Sequence, residues 1–149
     1  MFRIEDIACP SVSSLQEVLA TSATPFVTRQ QGATEVSCYV EIPGAFAFSL
    51  LSFENRDFLR YSVLPVLEER SHVAADRSDG RTTTSTVRAV DGLGDEAFEM
   101  ATRFDHTNDV LEISVWSRTG AYRVNVVGGF PDSDVALRVA RLWLASQPK

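Results

Sequence analysis

The chain has 149 residues, 44% hydrophobic and 23% charged, a balance that argues against wholesale disorder and fits one domain spanning residues 1–149. A chain of that length buries roughly 70% of the surface it exposes when unfolded, so no second domain is needed to supply a core. Fourteen Lys and Arg against twenty Asp and Glu leave a formal net charge of −6, which argues against sequence-blind affinity for nucleic acid or for anionic lipid.

Met1 to Ile7 carries neither a basic start nor an apolar run, and no later segment approaches the ~20 apolar residues of a membrane span. If the protein is exported, its signal lies outside this chain. Ser11 to Ala23 reads as a helix, and Ser14-Leu15-Gln16-Glu17 matches the reciprocal pattern in which Ser and Glu satisfy free backbone donors at a helix start. From Glu35 to Ile42 the chain alternates, with Val36, Cys38, Val40 and Ile42 on one face and Glu35, Ser37, Tyr39 and Glu41 on the other. Pro43-Gly44 supplies the fixed and the positive φ of a type II turn, which predicts a return strand from Ala45 to Phe53.

Asp57 to Arg70 is expected to be a helix broken at Pro65, with Phe58, Leu59, Leu64 and Leu67 on its apolar side. His72 to Arg81 reads as a surface loop, followed by a Thr-rich strand, Thr82 to Val90, whose polarity suits the edge of a sheet. Three alternating segments, Ala97 to Phe104, Val110 to Arg118 and Ala121 to Gly128, predict an antiparallel meander. With Thr119-Gly120 as its last turn, Val115 faces Val124, Ile113 faces Val126 and Trp116 faces Arg123. Pro131-Asp132-Ser133-Asp134 opens a closing helix with Val135, Val139, Leu142 and Trp143 inward and Arg138 and Arg141 outward. The expected fold is therefore α+β: one antiparallel sheet of about five to six strands, ending in the meander, with flanking N-terminal, middle and C-terminal helices.

Few residues carry chemistry. Cys9 and Cys38 would close a loop of about 30 residues, and a bridge would remove roughly 3–4 kcal/mol of unfolded-chain entropy on the loop-closure model. The spacing is not C-x-x-C, and no His or second Cys pair stands nearby in sequence to complete a zinc site, so the reading is a structural disulfide, with two free thiols as the alternative. Gly92-Leu93-Gly94-Asp95-Glu96-Ala97 matches G-x-G-x-x-A, but a strand-like segment follows it and two carboxylates would repel phosphate, so it reads as a glycine-bent connection between strands. Asp105, Thr107, Asp109 and Glu112 lack the glycine and terminal carboxylate of a calcium loop. His72 and His106 belong to no hydrolase or metalloprotease motif. No catalytic residue, metal ligand or cofactor follows from these patterns.

Trp116 stands out. Alternation places it with Glu112, Ser114 and Arg118 on the polar face of its strand, beside Arg123 of the next. Trp116, Arg118 and Arg123 are thus the candidate binding residues, an aromatic-arginine platform of the kind that dominates binding hot spots. The alternative is that a helix covers this face and Trp116 is core.

Ala8-Cys9-Pro10 before a Ser-Leu-rich helix, Cys38-Tyr39 in the following strand, the Gly92 to Ala97 stretch and the Ala-rich closing helix resemble the small actinobacterial, mycobacterial-type envelope lipoproteins of unknown function. They are also similar to extracellular sensor-like domains of mycobacteria. The resemblance implies export to the cell envelope, lipid attachment upstream of the domain, a Cys9–Cys38 disulfide and a sheet-plus-helices fold without known chemistry. It makes the expected function that of a non-catalytic envelope domain binding a small-molecule, glycan or protein partner, with membrane association only through an anchor outside this chain. A cytosolic acidic interaction protein of immunity or adaptor type is the alternative, and an enzyme with no visible motif the third.

Overall fold

The computed structural model describes residues 4–54, 74–76, 82–104, 110–120 and 122–148. After a single helical turn at Ile4–Asp6 come helix α1 (Val12–Leu19) and strands β1 (Phe26–Gln31), β2 (Glu35–Ile42) and β3 (Phe46–Glu54). Strands β4 (Ala74–Asp76), β5 (Thr82–Ala89), β6 (Glu96–Phe104), β7 (Val110–Thr119) and β8 (Tyr122–Gly128) follow, then helix α2 (Ser133–Ala145). All strand pairs are antiparallel, in one sheet ordered β1-β2-β3-β8-β7-β6-β5-β4. Two meanders, β1 to β3 and β4 to β8, therefore meet where β3 pairs with β8.

The α+β class and the single sheet agree with the sequence, but the strand count does not: there are eight among the described residues, not five to six. The two extra strands sit at the sheet ends, and neither carries an apolar alternation in its sequence. β1 is almost wholly exposed, and β4 is three residues long. β4 falls inside the stretch expected to be a loop, and by pairing with Thr82 to Thr84 it takes the edge position from β5. The broken helix expected at 57–70 lies outside the described residues, as do 72, 73 and 77–81.

Local signals set the element ends. Helix α1 starts earlier than the Ser14 pattern indicated, because the Ser11 hydroxyl accepts from the Ser14 amide at 3.2 Å and caps the first turn. It ends with Ala20 in the left-handed region, where the Ala20 and Thr21 amides donate back to the Glu17 and Gln16 carbonyls. The Asp132 carboxylate accepts from the Val135 amide at 2.9 Å and caps α2, within the stretch expected to open that helix. At the β2–β3 turn the Ala45 amide donates to the Ile42 carbonyl, and Gly44 takes a φ of +71°, as a type II turn requires.

Alternation buries one face. Val36, Cys38, Val40, Leu50 and Val126 are completely enclosed, and Val115 and Val124 nearly so. Helix α2 lies across β7 and β8 on this side, and α1 packs against α2. The inward stripe of α2 is Ala136, Val139, Ala140 and Trp143, while Val135 and Leu142 flank it half-buried. Burying each large side chain stabilises the fold by roughly 1.5–3 kcal/mol. The Trp143 indole donates to the Leu51 carbonyl at 2.9 Å, and the Ser52 hydroxyl donates to Gln147 at 2.6 Å, which tie the chain's last turn to the sheet.

The β7–β8 hairpin differs from the expected register. Thr119 pairs with Tyr122, so Thr119 belongs to β7 and the turn starts at Gly120 rather than at Thr119. Val115 consequently faces Val126, and Ile113 faces Gly128. Gly120 at φ +50° supplies the positive φ that such a two-residue turn demands. The slip is an even number of residues, so every side chain keeps its face.

Candidate functional site

The disulfide is formed. Cys9 and Cys38 are bonded with their Cα atoms 5.8 Å apart, and Cys38 is fully buried. The Arg29 guanidinium, on the strand beside Cys38, donates to the Ile7 carbonyl at 3.0 Å and to the Ile4 carbonyl at 3.3 Å. Bridge and guanidinium together pin the segment before α1 onto β1 and β2.

On the sheet face away from both helices, the register lines up Glu96, Arg118, Arg123, Phe53 and Glu35 across β6, β7, β8, β3 and β2. Two guanidinium groups directly opposite each other repel, and their neighbours offset this. Arg118 Nη2 lies 3.1 Å from Glu96 Oε2, and the Arg123 guanidinium carbon sits 4.6 Å from the Phe53 ring centroid. The adjacent row runs Phe98, Trp116, Asn125, Leu51 and Ser37.

Trp116, Arg118 and Arg123 therefore share one face, as the alternation indicated, but their pairing is corrected. The cross-strand neighbours of Trp116 are Phe98 and Asn125, and Arg123 stands opposite Arg118, with Phe53 beneath its guanidinium. Trp116 is half-buried in an apolar cluster of Phe98, Val87 and Met100 that is separate from the main core. Beside it the Ser114 hydroxyl donates to Asn125 Oδ1 at 3.0 Å, with both side chains buried.

The glycine stretch serves this row structurally. Gly92 and Gly94 take φ of +74° and +65° and bend the β5–β6 connection so that Leu93 enters the core. The Asp95 amide donates to the Arg118 carbonyl at 2.8 Å, and Asp95 Oδ2 accepts from the Gly120 amide at 3.4 Å. A Cβ on Gly94 would meet the Arg118 carbonyl oxygen at 2.5 Å. The stretch that resembled a phosphate loop is a strap holding the end of β7, where Arg118 stands.

His72, His106, Asp105, Thr107 and Asp109 lie outside the described residues, and Glu112 faces the same side as Trp116, opposite Thr102. Among the described residues, no group of three or more His, Cys, Asp or Glu could hold a metal ion, and no helix is long and apolar enough to cross a membrane. Glu99 is buried on the helix-covered face, where it accepts from Arg88 Nε at 3.1 Å and from the Ser133 hydroxyl at 3.0 Å, a contact that joins β5 and β6 to the first turn of α2.

One feature escaped the sequence. At the β2–β3 hairpin, Tyr39, Glu41, Ile42, Gly44, Ala45, Phe46 and Ala47 line an open cleft of about 340 Å³. Alternation sets Tyr39 and Glu41 on the outer face, and Phe26, which the register sets opposite Glu41, belongs to a strand too polar to recognise from its pattern. Comparison with protein-family models, curated proteins and solved structures finds no match to this chain.

Proposed function

We propose that this chain is an exported, non-catalytic envelope domain that engages a partner through the sheet face opposite its helices. The observation that carries the binding half is the convergence of Trp116, Arg118, Arg123 and Phe53 on that face. Aromatic and arginine side chains held in register lose little conformational entropy when they are covered, which is why they dominate binding energies. Export is supported by the enclosed Cys9–Cys38 bridge, since disulfides persist in oxidising compartments and are rare in the cytosol. The same bond disfavours the cytosolic adaptor reading. The likeness to actinobacterial envelope lipoproteins points the same way and adds an upstream lipid anchor to the proposal.

The test combines location with binding. Intact mass of the protein recovered from its own cells, alkylated with and without reductant, is expected to show no free thiols and a processed or lipidated start. Two free thiols on a cytosolic protein would overturn the export reading. Isolated envelope glycans and lipids, titrated against the protein while indole fluorescence is read, are expected to bind. Arg118→Ala/Arg123→Ala should then weaken binding by at least about tenfold. Unchanged affinity in a folded double variant removes this face from the function.

A further inference from the structure

A second surface lies at the far end of the same sheet face. Phe26 is 65% exposed and Tyr39 48% exposed, which makes them the two most exposed large apolar side chains among the described residues. They share one face of the β1–β2 pair, where Phe26 is the register partner of Glu41 and Thr28 that of Tyr39. Both Tyr39 and Glu41 line the hairpin cleft. On the described strands β1, β2 and β3, the charged residues pointing to this face are Glu35 and Glu41, both acidic. Two exposed rings beside carboxylates, with no cation from these strands to neutralise them, form the electrostatic complement of an organic cation, because a ring face and a carboxylate both attract positive charge. Moreover β1 closes the sheet order, and no described strand pairs with its outer side. A sheet edge of this kind is a template for another extended segment.

We infer that β1 and the β2–β3 cleft form a docking site for an extended basic segment of a partner protein, which adds a strand to β1 and lays a Lys or Arg side chain over Phe26 and Tyr39 toward Glu41. Strands stand ~4.8 Å apart, so alternate side chains of the added segment fall on the aromatic face next to Phe26. The chain's net charge of −6 steers such a segment inward. This site is separate from the Trp116 surface and does not depend on it.

The probe is a synthetic heptapeptide, Thr-Lys-Thr-Lys-Thr-Lys-Thr, with the same peptide carrying Glu in place of Lys as its control, both titrated against the full chain by calorimetry. The Lys peptide is expected to bind, to weaken as salt is raised, and to slow amide exchange in β1. Tyr39→Ser and Glu41→Gln should each reduce its affinity by about three- to tenfold, while circular dichroism stays that of the parent. Both positions are exposed, so these variants keep the fold; Trp116→Ala serves as a control and should bind the peptide like the parent. Equal binding of the Lys and Glu peptides, no binding up to about 1 mM peptide, or parental affinity in the two cleft variants overturns the inference.

Discussion

Ala20 ends α1 in the left-handed region at φ 51° and ψ 48°, among the described residues the one non-glycine with positive φ. A side chain there costs about 1–2 kcal/mol, partly offset by the extra freedom that glycine would give the unfolded chain. Ala20→Gly is therefore expected to stabilise the protein by about 0.5–1 kcal/mol, read as a melting temperature raised by roughly 1–4 °C; an unchanged or lower value would remove strain from the account of this cap. Tyr122 makes the opposite kind of prediction. Its phenol pKa is raised above 10.0, first by burial and then by the charge of Asp6. Because the folded pKa exceeds the unfolded one, the contribution to stability is full below pH 10 and is lost as pH climbs through the unfolded and then the folded value. Urea midpoints measured between neutral and strongly alkaline pH should fall above about 10, and Tyr122→Phe should flatten that part of the fall. An identical alkaline slope in the variant would assign the loss to other groups.

Among the elements, the disulfide is the strongest single tie, because it fastens a segment with little regular structure to the middle of β2. On the loop-closure model it contributes roughly 3–4 kcal/mol, so Cys9→Ala/Cys38→Ala should lower the urea midpoint by more than about 1 M. A midpoint within experimental error of the parent would show that Arg29 and the core hold the segment without the bond. Where alternation was strict, the sequence was sufficient. Glu35 to Ile42 became β2 residue for residue and the meander followed from the same argument, whereas of the expected α2 stripe only Val139 and Trp143 are fully buried. It failed where packing against a neighbour, rather than local pattern, makes the element. β1 is a strand because β2 offers it a ladder, and β4 because β5 does. The site followed the same division. Faces were legible, since an even register slip preserves them, and partners were not, since moving the turn by one residue exchanged Arg123 for Asn125 beside Trp116. The exposed aromatic pair beside the hairpin cleft was invisible because half of it, Phe26, sits on β1.

The strand order makes the whole molecule depend on one seam. β1 to β3 and β4 to β8 are each built from neighbouring hairpins, and among the described strands only the β3–β8 ladder joins them within the sheet. Gly128 sits at the end of that seam opposite Phe48, where a Cβ would overlap the Phe48 side chain and press on the Ala47 carbonyl oxygen at 2.5 Å. The contacting atoms include backbone, which cannot swing aside as the end of a long side chain can. Helix α2 reinforces this seam, because it packs on β7 and β8 while Trp143, and Gln147 just past its end, bond across to Leu51 and Ser52 of β3. If the two halves unfold as one unit, Gly128→Ala should destabilise both together by about 1–3 kcal/mol. Amide exchange governed by global opening should then speed up by the same factor at Val36 to Val40 and at Val124 to Val126. Acceleration confined to β8 would mean that the disulfide-tied half stands on its own. The hairpin cleft and the Trp116 row would then be carried by separately stable parts of the sheet rather than by one rigid face.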